Sequence, residues 1–211
     1  MIELEDESIK PVWLEQRKRK DNKSFLRSWI ENPLMTGAIA PSGKALARTM
    51  ASYVDLNTQA PVIELGPGTG PVTTALIQWG VQEERLILVE YCADFCQILK
   101  EKFPKATIIQ GDAYNLQKTL SVSLTQSACA TVSSLPLMTK PVDVRKALLQ
   151  EAHALMLPEA PFIQFTYALV PPIPKQVTKC QVTHSPRIWK NIPPARVWVY
   201  RTNLASQALA A

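Results

Sequence analysis

Val62-Ile63-Glu64-Leu65-Gly66-Pro67-Gly68-Thr69-Gly70 decides the fold of this 211-residue chain. An apolar run closes in an acid and a glycine-rich turn. Pro71-Val72-Thr73-Thr74-Ala75-Leu76-Ile77 then continues with helical character. Strand, tight glycine turn and helix together form the entry unit of a nucleotide-binding α/β sheet. The spacing is G-x-G-x-G, not the G-x-G-x-x-G of dinucleotide enzymes. Glu64 also stands two residues before the first glycine. Both features suit a ligand without a pyrophosphate, for which the helix N-terminus has no phosphates to receive.

Outward from this turn, strands and helices alternate. Strands are expected at 61–65, 85–90, 106–110, 128–133 and 162–167, and helices at 71–80, 93–103 and 142–156. This alternation predicts a doubly wound, Rossmann-like α/β sheet, mostly parallel, with helices on both faces. The style changes after Val170. Eight of the 17 prolines lie between Pro158 and Pro194, and 181–183 and 196–200 predict an antiparallel C-terminal strand pair. Residues 1–55 form an N-terminal amphipathic helix and lid region, and 56–211 the ligand-binding domain.

The formal charge of +5 is unevenly spread. Residues 10–30 hold seven Lys/Arg against two acids, and 171–211 hold six against none. An anionic partner, a membrane surface or a nucleic acid, fits both ends; so do two solvated faces. At roughly 100° per residue, Phe25, Leu26, Trp29 and Ile30 share one half of a helix over 12–31. Arg17, Lys20, Lys23 and Arg27 share the other, with Lys18 and Arg19 at the boundary. Such a helix suits a headgroup boundary, or packs as a brace across the domain. Residues 35–43 are a small-residue loop, a lid over the ligand or an ordinary turn. Ser42 is placed to cap a helix from 44 to about 54.

Four cysteines without a C-x-x-C spacing or paired histidines predict no metal site. Cys92 and Cys96 are expected as buried thiols on a helix. The cysteines are expected to be reduced and, with no signal-peptide pattern in the acidic N-terminal stretch, a cytoplasmic place is expected. No apolar stretch approaches the roughly 18 residues of a spanning helix.

In open parallel sheets, ligands bind beyond the carboxyl ends of the strands. Glu64, Glu90 and Asp112 occupy three such ends. A carboxylate closing the second strand can accept both ribose hydroxyls, and one after the third can accept from an adenine amino group.

With these residues in view, the chain resembles the class I S-adenosylmethionine-dependent methyltransferases over about residues 60–201. Within them, the loop at 36–42, the glycine turn, Ser134-Leu135-Pro136-Leu137 and the stretch 191–198 resemble the bacterial phospholipid N-methyltransferases, which methylate phosphatidylethanolamine toward phosphatidylcholine. The resemblance implies S-adenosylmethionine as cofactor, held by Glu64, Gly66, Gly68, Gly70, Glu90, Asp112 and Ala113. It implies an anionic membrane contacted by Arg17, Lys18, Arg19, Lys20, Lys23, Phe25, Arg27 and Trp29, and a peripheral place on the inner face of the cell membrane. Ser134, Leu135, Tyr167, Arg187 and Lys190 are the substrate-site candidates, and Tyr167, at the end of strand 5, is also the catalytic candidate. His153 and His184 are expected to be structural. The alternative is an rRNA adenine N6-dimethyltransferase. Those enzymes close strand 4 with an Asn-Leu-Pro-aromatic tetrad, whose amide accepts from the base and whose ring stacks on it. Ser134-Leu135-Pro136-Leu137 has neither group, which predicts that nucleic acid is not the partner.

Overall fold

A computed structural model describes residues 43–202. The expected helix over 12–31, the loop at 36–42, Ser42 and the membrane-contact residues Arg17, Lys18, Arg19, Lys20, Lys23, Phe25, Arg27 and Trp29 lie outside the described residues.

The strands are β1 (Val62–Leu65), β2 (Leu86–Glu90), β3 (Thr107–Gln110), β4 (Ala130–Ser133), β5 (Phe162–Thr166), β6 (Cys180–His184) and β7 (Arg196–Thr202). The helices are α1 (Lys44–Ala51), α2 (Pro71–Trp79), α3 (Ala93–Lys102), α4 (Leu116–Leu120) and α5 (Val142–Ala154). One seven-stranded sheet has the order β3-β2-β1-β4-β5-β7-β6. β1 to β5 run parallel, and β7 pairs antiparallel with both β5 and β6. The doubly wound α/β sheet with an antiparallel C-terminal pair is therefore the fold.

The strands at the centre are buried on both faces because helices cover both. β1, β2, β4 and β5 are buried at every position. The edge strands β3 and β6 are largely open. One core packs α1, α2 and the end of α3 on the sheet through Leu46, Met50, Leu76, Leu99 and Phe103. The other packs α4 and α5 through Leu116, Leu120, Leu148, Leu149 and Ala152. Pro71 opens α2, where its missing N–H costs nothing, and Gly80 closes it at φ +120°.

Several expected bounds shift. Arg85 belongs to a 3-10 turn, not to β2, because its side chain turns inward: Nε donates to the Ala60 carbonyl at 3.0 Å and Nη2 to Cys129 Sγ at 3.4 Å. The strand expected from 128 begins at Ala130; Ala128 makes an isolated bridge to Met156 instead. The helix expected to reach 54 ends at Ala51, and the one expected to reach 156 ends at Ala154. α4 was not anticipated: five residues are too few to show a helical period.

Tyr200 fastens the C-terminal strand to the proline-rich segment. Its hydroxyl accepts from the Ile173 N–H and donates to the Ile173 carbonyl, both at 3.0 Å, and both residues are fully buried. Tyr200→Phe strands a buried N–H and C=O together, at a cost of about 1–3 kcal/mol. Urea unfolding should show a lower midpoint with an unchanged slope.

Candidate cofactor and substrate site

Strand order reverses between β1 and β4, so a crevice opens beyond their carboxyl ends. The glycine turn lies there. Gly66, Gly68 and Gly70 have φ of +65°, +58° and +79°. Gly70 has a second constraint, since a Cβ there would overlap the Phe103 ring. The Gly66 N–H donates to the Val89 carbonyl at 2.9 Å, and the Ser134 N–H donates to the Leu65 carbonyl at 2.9 Å. The turn is thereby tied to β2 and β4 at once. Lys102 Nζ donates to the Thr69 carbonyl at 3.1 Å from α3.

Glu90 joins two turns. Its Oε2 accepts from the Gly68 N–H at 3.0 Å, and its Oε1 accepts from the Cys92 N–H at 2.9 Å at the start of α3. Burial raises its pKa, and the N–H donors of Cys92 and Gly68 pull it back. Each oxygen keeps a further lone pair for a hydroxyl. Cys92 and Cys96 are buried free thiols beside it.

Glu64 lies fully buried beneath the turn. Thr73 Oγ1 of α2 donates to Oε2 at 2.7 Å, while Oε1 has no partner. Burial pushes this carboxyl up to about 8, against the Thr73 bond and the Lys102 charge, which both lower it. Asp112 is exposed past β3, where Oδ1 accepts from the Tyr114 N–H at 2.8 Å, and Ala113 is buried beside it.

A cavity of about 210 Å³ adjoins the carboxyl ends of β4 and β5. Leu135, Leu137, Phe165, Thr166, Tyr167 and Pro172 contribute to its wall. Leu137 is buried rather than presented to solvent. Gln164 Nε2 donates to the carbonyls of Leu135 and Phe165 at 3.0 and 2.9 Å, so its Oε1 is left as a buried, unpartnered acceptor. Ser134 Oγ is likewise buried and unpartnered. The Tyr167 ring meets Phe165 edge-on at 5.5 Å; burial raises its phenol, and a hydrogen bond with the Asn191 side chain lowers it.

The other candidates fall differently. Arg187 Nη2 is engaged by the carbonyls of Tyr167 and Pro194, at 3.0 and 3.2 Å, so it fastens loops. Lys190 is exposed. His153 Nε2 is 3.4 Å from the Tyr200 carbonyl, and His184 stacks edge-on against Trp198 at 4.9 Å. His184, on edge strand β6, is four strands from the turn, and His153, on α5, contacts β7. Thr73, Lys102, Gln164 and Asn191 were missed. Gln164 had a signal: it is the one amide inside an otherwise apolar and hydroxylic strand.

The site fits S-adenosylmethionine. A glycine cradle with three left-handed glycines, a paired-up strand-end acid and a buried carboxyl with an unused oxygen suit a cofactor bearing a diol and positive charge. Fold and site define a class I S-adenosylmethionine-dependent methyltransferase. Residues 37–161 match the ribosomal RNA adenine dimethylase family, and the chain belongs to it. It is 28% identical over 150 residues to ornithine lipid N-methyltransferase of Singulisphaera acidiphila, covering 70% of this chain and 78% of that protein. It is 32% identical over 100 residues to ribosomal RNA small subunit methyltransferase A of Synechococcus sp. (strain JA-2-3B'a(2-13)), covering 44% of this chain but 32% of that one. Magnesium protoporphyrin IX methyltransferase from Synechocystis PCC 6803, solved with bound S-adenosylmethionine, shares the fold: TM-score 0.58 at 9% identity, over 87% of this chain and 97% of that one. The rRNA-directed relatives leave the expected exclusion of nucleic acid without support. Among the described residues no acid, Cys or His group is placed to hold a metal, and no helix is long and apolar enough to cross a membrane.

Glu64 sets a pH dependence. A free Glu ionises near 4.5, whereas Glu64 in the folded chain holds its proton to about 8. The unfolded state therefore releases the proton first, and stability falls as pH rises from the lower value to the upper. Glu64→Gln keeps an acceptor for Thr73 and carries no proton to lose. Its stability relative to the parent should rise between pH 5 and 8, by up to about 1.4 kcal/mol per pH unit. Urea midpoints at several pH values check this; a gap independent of pH contradicts it.

Proposed function

We propose that the chain methylates the amine of a membrane aminolipid, phosphatidylethanolamine and its methylated derivatives in the first instance, at the inner face of the cell membrane. The observation that carries this is the cavity beyond β4 and β5, walled by Leu135, Leu137, Phe165 and Tyr167. An aliphatic side chain stands where base-methylating enzymes place a stacking ring. The lipid-directed relative covers more of both chains than the rRNA-directed one.

S-adenosylmethionine supplies a sulfonium-bound methyl group to a nucleophile. Gly66, Gly68, Gly70 and Glu90 would hold it, with Asp112 and Ala113 at the adenine end and Glu64 below. The protein's part in the reaction is to present an amine with its lone pair free. An alkylammonium resembles lysine, pKa about 10.4, so deprotonation at pH 7 costs roughly 4–5 kcal/mol. The carbon-lined cavity lowers that cost by disfavouring the charged form. Tyr167 keeps its own proton, because burial raises its phenol. It therefore offers a ring face, not a base, and aromatic faces hold methylated ammonium groups well. The unpartnered oxygens of Ser134 and Gln164 are acceptors for an N–H.

The second reading is N6-methylation of adenine in ribosomal RNA, favoured by the family match over 37–161. Incubation with methyl-labelled cofactor separates the two. The substrates are vesicles containing phosphatidylethanolamine, vesicles containing ornithine lipid, and unmodified small ribosomal subunits. Label should enter a lipid amine. Label in adenine, with none in lipid, overturns the reading.

A further inference from the structure

Two loops meet at Tyr167, a wall residue of the cavity. Leu169 and Val170 stand between the wall residues Ala168 and Pro172, and they are 77% and 54% exposed. Trp189 and Ile192, 74% and 76% exposed, lie in the loop joining β6 to β7. That loop is closed by the bridge between Ile188 and Ala195. It is fastened to the end of β5 twice: Arg187 donates to the Tyr167 carbonyl, and the buried Asn191 side chain hydrogen-bonds Tyr167. Four large exposed apolar side chains are thus carried by two loops that are hydrogen-bonded together at Tyr167. Apolar residues on soluble surfaces are ordinarily scattered singly, and a cluster marks a contact.

The charge of the loop selects the partner. The loop joining β6 to β7 holds Arg187 and Lys190 and no acid, and Lys190, exposed, stands between Trp189 and Asn191. A tryptophan with aliphatic neighbours and basic residues is the composition that settles at a headgroup boundary over anionic lipid. Leu169, Val170 and Ile192 have no stacking face and no hydrogen-bonding group, so they gain nothing from a nucleic acid. Acyl chains take them.

We propose that this pair of loops forms a membrane-contact surface: Leu169, Val170, Trp189 and Ile192 enter the boundary of an anionic bilayer, and Lys190 meets its phosphates. It is distinct from the helix expected over 12–31, and it rests on the aminolipid reading above, since the loops meet at a wall residue of the cavity. An amine then passes from the headgroup layer into the cavity without leaving the bilayer surface.

The test uses the full chain and vesicles of phosphatidylglycerol with phosphatidylcholine, by co-sedimentation at low salt. Leu169→Ser with Trp189→Ser removes exposed side chains only, so thermal unfolding and cofactor affinity should be unchanged. Vesicle affinity should fall at least roughly tenfold, and Lys190→Glu alone should weaken binding to anionic but not neutral vesicles. Methyl transfer to a short-chain aminolipid dispersed as monomers should survive in the double variant, while transfer to vesicle lipid is lost. Unchanged vesicle binding in both variants overturns the surface even if dispersed lipid is methylated. A double variant that loses its vesicle affinity while no lipid is methylated by either protein keeps the surface and overturns the substrate reading. A change in self-association or in binding to a ribosomal RNA fragment, with vesicle binding intact, assigns the loops to another copy or to RNA and overturns the proposal.

Discussion

One carboxylate holds the site together. Glu90 accepts from the Gly68 N–H with one oxygen and the Cys92 N–H with the other. The first bond fixes the glycine turn after β1; the second fixes the start of α3 after β2. Charge-assisted bonds to backbone N–H groups are about twice as strong as neutral ones. They also repay part of what burying Glu90 costs. Because β1 and β2 pair in register up to Leu65 and Val89, the two turns are brought side by side at the crevice. Three glycines with positive φ let the chain bend close enough for the bond to form.

Beneath that turn the protein tolerates groups that a purely structural core avoids. Glu64 is buried with one oxygen unused, and Ser134 and Gln164 keep buried acceptors without partners. Each such group costs about 1–3 kcal/mol. Glu64 and Gln164 lie on the central strands β1 and β5, and Ser134 just past β4. Arg187 shows the opposite economy. It is a charged residue in a basic loop, but its guanidinium is engaged by two carbonyls and ties that loop to Tyr167 at the end of β5. The exposed charge of that loop is Lys190.

The central sheet was legible because its signals are local. Four- and five-residue apolar runs end in turn residues or acids, and each run is a strand covered on both sides. The glycine turn was legible for the same reason, since left-handed backbone demands glycine. Edges were harder. Ala128 and Arg85 are in or beside β-like stretches, yet their pairing depends on distant partners, Met156 for one and Ala60 with Cys129 for the other. The substrate side was least legible. Leu135, Gln164, Tyr167 and Asn191 come from three separate segments, and only the β4–β5 and β5–β7 pairing brings them together. No spacing in the sequence records that. Ser134-Leu135-Pro136-Leu137 shows its missing amide and ring without a structure, but the exclusion of nucleic acid read from it is left without support by the family match.

Titration calorimetry of S-adenosylmethionine into the parent chain and into Glu90→Gln tests the account most directly. The amide keeps one acceptor oxygen but sets an NH2 against one of the two backbone donors, so the turn loses half its fastening. The account predicts binding at least roughly tenfold weaker, with thermal unfolding still cooperative because the sheet beneath is intact. Near-parent affinity would contradict it: the glycine turn would then be held by the sheet alone, and the ligand's diol would be bound elsewhere.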